Sequence, residues 1–145
     1  MAKAPTTAGY SGTPLVNKLG IKPGESVYAV NAPADYAAFL GPLPAGAAIS
    51  QKPDKQAGFI HYFATTSADL HTKLPQLKKL LRPNGMLWVS WPKKAAAKLH
   101  GIVTDVTEDT VRNEALAIGL VDVKVCAVTE VWSGLKLVIP VQNRK

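Results

Sequence analysis

The sequence predicts an α/β protein: a mainly parallel β-sheet covered by helices on both faces and finished by an antiparallel hairpin. Three observations carry that expectation. Gly58 to Ala64 (GFIHYFA) is nearly continuous in apolar and aromatic residues, as strands are when both of their faces are covered. Leu70, Leu74, Leu77 and Leu81 follow at helical spacing. Near the C-terminus, Val121 to Val131 and Leu135 to Val141 alternate on either side of Trp132-Ser133-Gly134, the pattern of a hairpin.

The remaining elements can be read in order. Met1 to Gly12 is small and polar and predicts an extended arm, with Tyr10 able to pin it. Leu15, Val16, Leu19 and Ile21 suit a short helix closed by Gly20 and stopped at Pro23-Gly24. Ser26 to Val30 is a β-rich run that passes through Asn31-Ala32-Pro33 into a helical stretch, Ala34 to Leu40, and Ala47 to Ser50 suits a short second strand. Thr66 or Ser67 can cap the leucine-rich helix, in which Pro75 predicts a kink or a restart. Arg82-Pro83-Asn84-Gly85 reads as the turn that ends it, before a strand over Met86 to Trp91. Lys93 to Gly101 is loop or short helix. Thr107 caps a further helix with Glu108 and Asp109 in its first turn and Val111, Ala115 and Ile118 facing inward.

At 145 residues and 47% apolar content, the chain suits one buried core and is short for two ordinary domains. The expected organisation is a single domain over residues 1–145, an arm at 1–12 and a core at 13–145. With no apolar signal core and no stretch near the ~20 residues of a membrane helix, a cytoplasmic protein without a membrane partner is expected. Cys126 stands alone, which excludes an internal disulfide and predicts a buried, inert thiol. Net charge is +7, concentrated in the middle third: Lys52 to Lys98 carries nine bases against Asp54 and Asp69. Such a band attracts phosphate-bearing partners. The plainer reading is a solvated helix face.

The run Leu77 to Val89, with Arg82-Pro83-Asn84-Gly85 at its centre, resembles the helix, turn and fourth strand of S-adenosylmethionine-dependent methyltransferases, and the terminal hairpin resembles that fold's closing hairpin. The resemblance spans residues 24–141 and implies a single three-layer, Rossmann-like domain of methyltransferase-like plan, truncated. It implies a cofactor site as well, and here the sequence departs from the pattern. The first loop reads Val30-Asn31-Ala32-Pro33-Ala34-Asp35 without glycine, and Gln51 and Lys52 follow the second strand where the family has an acid for the ribose. No cofactor is therefore expected. Tyr10 to Leu15, Lys18 to Gly24, Asn31-Ala32-Pro33, Trp91 to Lys94 and Trp132 to Leu135 also resemble a family of small bacterial proteins classed as a domain of unknown function.

In open α/β sheets ligands bind outside the carboxyl ends of the strands. That rule gathers Asn31, Thr65, Thr66, Ser90, Trp91, Lys93 and Lys94 around one mouth, with Asp105 entering from a following loop. There Asn31 and the hydroxyls can hydrogen-bond a ligand, and two ammonium groups beside Trp91 can hold a phosphate or carboxylate. The plainer reading makes Asn31 and the threonines helix caps and leaves the lysines in solvent. His61 reads as a hydrogen-bonded core histidine; with His71 and His100 it forms no metal cluster. Trp88 and Trp91, three apart on a strand, face opposite sides.

The leading expectation is a non-catalytic, methyltransferase-like binding or regulatory module, with no catalytic residues assigned. Behind it stands a small enzyme or anionic small-molecule binder at the strand ends, and third a weak nucleic-acid binder through the basic middle. A protein partner or a homo-oligomer through the hairpin is compatible with the first.

Overall fold

Why the chain folds this way is visible in how its apolar residues divide between two faces of one sheet. The computed structural model describes residues 14–52 and 56–144; the expected N-terminal arm lies outside the described residues. The elements are α1 (Leu15–Leu19), β1 (Ser26–Val30), α2 (Tyr36–Leu40), β2 (Ala48–Ser50), β3 (Ala57–Phe63), α3 (Ser67–Leu80), β4 (Leu81–Pro92), α4 (Lys94–His100), α5 (Glu108–Ala117), β5 (Val121–Ala127) and β6 (Trp132–Val138). The sheet order is β2-β1-β3-β4-β6-β5. The first four strands are parallel, and β6 and β5 close the sheet antiparallel. This is the expected α/β class, a mainly parallel sheet with a C-terminal hairpin.

Alternation along the central strands builds two cores. Phe59 and Phe63 of β3 and Trp88 of β4 pack with Leu15, Val16 and Leu19 of α1 and with Tyr36 and Leu40 of α2. Ile60 and Tyr62 of β3 and Leu87, Val89 and Trp91 of β4 point the other way, against Leu70, Leu74 and Leu77 of α3 and Val111 and Ala115 of α5. The two tryptophans are on opposite faces as their spacing predicts, and both are buried. Helices therefore cover both faces, the three-layer plan.

Local chemistry sets the ends of these elements. Gly20 closes α1 with φ 84°, a left-handed conformation that glycine adopts without a Cβ penalty. Thr66 caps α3 by accepting the Asp69 N–H. Thr107 caps α5 in a reciprocal pair with Thr110, and Glu108 and Asp109 lie in its first turn, complementing the helix dipole. Thr107→Ala is expected to lower stability by about 1 kcal/mol, read from the denaturant midpoint.

The structure narrows one reading and corrects two. Of the kink or restart expected at Pro75, no restart occurs: α3 runs through it as one helix, with Leu70, Leu74 and Leu77 all buried in the same core. Arg82 to Gly85 is not a free turn but part of β4: Ala57 pairs with Leu81 and Phe59 with Met86, so the extra residues form a bulge. Trp132-Ser133-Gly134 is not the hairpin turn either. Trp132 opens β6, where Trp132, Ser133 and Gly134 pair with Pro92, Trp91 and Ser90, and the turn lies earlier, where Val128 N and Thr129 N bond Trp132 O.

The Lys73 ammonium lies 3.7 Å from Asp69, and Lys78 Nζ donates to the Ile118 carbonyl. The acid-rich last third converges on Arg112, which pairs with Glu108, Asp109 and Asp122. Among the described residues, no helix is long and apolar enough to cross a membrane.

Candidate ligand-binding site

β2 lies on one side of β1 and β3 on the other, so the sheet's switch point is the gap beyond Val30 and Phe63. Asn31 stands at its edge with φ 57°, the one described non-glycine residue in the left-handed region. Asparagine tolerates that conformation better than most side chains. Asn31 thus makes the turn out of β1 in a conformation that glycine adopts more readily, with its Cβ and side chain in place. It does not cap α2. Its Nδ2 donates across the gap to Asp69 Oδ2 at 3.2 Å.

Asp69 is the node that sequence reasoning missed. The same Oδ2 accepts the Tyr62 hydroxyl, and Lys73 approaches Oδ1. Burial and the Asp69 carboxylate together push the Tyr62 phenol above its usual range. The available signal was the Thr66-x-x-Asp69 spacing of a helix cap. The switch point is therefore bridged by a hydrogen-bonded cluster of Asn31, Asp69 and Tyr62.

The other predicted residues separate. Thr66 is a cap, and the Thr65 carbonyl accepts the Asp105 N–H at 3.4 Å. Asp105 does enter from the later loop, but both carboxylate oxygens are taken by Ser67, its N–H and its hydroxyl, each at 2.7 Å. Those bonds hold the Asp105 carboxyl below the usual range. Ser90 is not at the mouth at all. It is fully buried, its hydroxyl 2.7 Å from His61 Nε2, and His61 Nδ1 lies 2.8 Å from the Tyr36 hydroxyl. The reason is register: Ser90 pairs with Phe63 on one side and Gly134 on the other, inside the sheet. His61 is the hydrogen-bonded core histidine expected, stacked on Phe63 with ring centroids 4.3 Å apart.

Lys93 and Lys94 do not form a pair beside Trp91. Lys93 is half-buried and faces Lys18 and Glu130; burial and then Lys18 lower its ammonium, and Glu130 opposes the shift. Lys94 instead lines a separate cleft of about 400 Å³ with Trp91, Pro92, Thr104 and Asp105. Cys126 is half-buried, and burial pushes its thiol up against the opposing pull of Lys18 and Lys124, consistent with an inert thiol. Among the described residues no cluster of His, Cys, Asp or Glu can hold a metal ion.

The larger cleft, about 550 Å³, opens over the carboxyl ends of β1 and β2. Val30, Pro33 and Ile49 give it apolar walls, and Tyr28, Asn31 and Gln51 supply polar groups. This is where the resembling family holds S-adenosylmethionine. That cofactor carries an ammonium group and a ribose diol, which call for carboxylates, yet the described lining holds no charged side chain. The residues present do not fit it.

No protein-family model matches the chain, and no curated protein matches it. Among solved structures the chain is similar to "The structure of LepI complex with SAM", at 14% identity and TM-score 0.47, over 93% of this chain and 42% of that one. It is also similar to "A Pericyclic Reaction enzyme" (12% identity, TM-score 0.47, 97% of this chain and 50% of that one). A LepI complex with SAH and a substrate analogue aligns at 12% identity and TM-score 0.49, over 97% of this chain and 45% of that one. The chain thus spans half or less of the length of these structures.

Proposed function

We propose that the chain is a non-catalytic binding or regulatory module of methyltransferase-like plan that takes a neutral, flat heterocyclic small molecule in the cleft over β1 and β2. One observation carries this reading: the cleft keeps ligand-sized volume at the strand ends while its described lining has no charged side chain. Val30, Pro33 and Ile49 suit the faces of a ring. The amides of Asn31 and Gln51 offer donors and acceptors to its edge. A charged cofactor would lose solvation there without a paired charge in return.

Thermal shift followed by calorimetry tests the proposal with adenosine, guanosine and S-adenosylmethionine as probes. A nucleoside is expected to raise the melting temperature by mass action, and Gln51→Ala to abolish the rise. Micromolar binding of S-adenosylmethionine, or no response to either nucleoside, would overturn it. A second reading, an anion binder at the smaller cleft, rests on Lys94 lining it with Thr104. The shared presence of Asp105 weighs against it. If an anionic probe binds at low salt and Lys94→Ala leaves its affinity unchanged, that reading fails.

A further inference from the structure

The opposite edge of the sheet, at the amino ends of β1, β3 and β4, carries a cleft of about 370 Å³ that fold logic does not assign. Arg82 reaches into it because β4 is bulged. Between the paired positions Ala57↔Leu81 and Phe59↔Met86, β3 has only Gly58 where β4 has Arg82, Pro83, Asn84 and Gly85. A bulge of this kind re-aims a side chain out of the pleat. Arg82 Nε donates to Asn84 Oδ1 at 3.1 Å, which fixes the plane of the guanidinium.

Two glycines make the arrangement sterically feasible. A Cβ on Gly58 would lie 2.2 Å from Arg82 Nη2 and 2.8 Å from its Cζ, so the guanidinium occupies the space of the missing side chain. A Cβ on Gly85 would meet Leu81 Cδ1 at 2.9 Å and the carbonyl oxygens of Ala57 and Gly58 at 3.0 Å, so the bulge closes tightly only around glycine. Among the described residues no carboxylate lies within 4.0 Å of the Arg82 nitrogens. Lys22 and Glu25 line the same cleft. Glu25 Oε1 accepts from the Lys22 backbone N–H at 3.5 Å, and Oε2 lies 3.2 Å from where a Gly58 Cβ would stand, so the carboxylate and the Arg82 guanidinium border the same space.

We infer that this cleft binds a small phosphorylated polyol, with Arg82 and Lys22 taking the phosphate and Glu25 accepting hydroxyls. A guanidinium with no described carboxylate within 4.0 Å of its nitrogens pairs with phosphate oxygens through a planar fork. A bare phosphate or a dicarboxylate would meet the Glu25 carboxylate as a like charge. A phosphate ester that places hydroxyls there turns the repulsion into hydrogen bonds. The cleft volume is at the lower end of the range that small ligands occupy.

Calorimetry at low salt tests this with a pentose phosphate, inorganic phosphate and succinate. The pentose phosphate is expected to bind more tightly than the other two, and Arg82→Gln to weaken it by about tenfold or more. Gly58→Ala removes no charge, and its φ lies outside the left-handed region; it is expected to weaken binding comparably by displacing the guanidinium. Arg82→Lys, at an exposed position, keeps the charge without the fork and should also lose affinity. Glu25→Gln should narrow the preference over inorganic phosphate. The inference is overturned if no phosphate ester binds, if inorganic phosphate binds as well as the ester, or if Arg82→Gln and Gly58→Ala both leave affinity unchanged.

Discussion

Lowering the pH from about 6.5 toward 3 is expected to destabilise the protein by roughly 1.4 kcal/mol per pH unit through His61 alone. Burial lowers the folded-state value of this imidazole from 6.5 to about 3. Above pH 6.5 the ring is neutral in both states and contributes no pH dependence. As the pH falls below that value the unfolded chain takes up a proton that the folded chain refuses, so stability is lost until about pH 3. Hydrogen bonding is not the cause. Both ring nitrogens have hydroxyl partners, Tyr36 and Ser90, which can rotate to serve either tautomer or the cation. The cost is that of placing a charge where the ring is fully buried and stacked on Phe63. Denaturant midpoints at about pH 7 and 4.5 should differ by roughly 2 to 3 kcal/mol on this account. Asp105 and Asp122, both held below their usual range, lose their contribution only as the pH falls further, through their folded values. His61→Leu should be less stable at neutral pH, because it strands two buried hydroxyls, yet less sensitive to acid. Parallel acid profiles for the two proteins would refute a neutral, buried His61.

What the sequence made legible was whatever depends on neighbours along the chain. The apolar run at Gly58 to Ala64, the leucine stripe of α3 and the Thr66 and Thr107 caps are local signals, and each element formed where it was expected. The bulge at Arg82 to Gly85 was not legible, because Pro-Asn-Gly is turn chemistry whether the chain turns away or is held extended by β3. The candidate site fared similarly. Fold logic pointed to Asn31, which the structure sets at the edge of the switch point, and the cap reading suited Thr66, but which way Ser90 points depends on the parity of β4 relative to β3 and β6. Asp69 needed three separate elements to meet: the loop after β1, β3 and the first turn of α3. The separation of Lys93 from Lys94 reflects the same limit, since Lys93 is the N-cap of α4 and Lys94 its first helical residue.

Trp88→Ala is expected to cost about 3 to 5 kcal/mol and to lower the melting temperature by on the order of 10 °C. Trp88 is fully buried between β3 and β6, paired with His61 and Lys136, and belongs to the core beneath α1. Its indole N–H donates to the Leu19 carbonyl at 2.8 Å, one of the carbonyls at the end of α1 that the helix itself cannot satisfy. α1 is five residues long and far too short to persist by itself, so its order derives from this core. The substitution should therefore act unevenly. Amide exchange at Gly20 and Ile21, whose N–H groups bond to Val16 O, should accelerate, while that of α3 in the opposite core should follow only the global loss of stability. Trp88→Phe retains most of the packing and removes the hydrogen bond, and should cost about 1 to 2 kcal/mol beyond its small change in volume. Uniform acceleration in α1 and α3 after Trp88→Ala would mean that both faces of the sheet open as one unit. Selective acceleration in α1 would show that Trp88 is the tie between this short helix and the sheet.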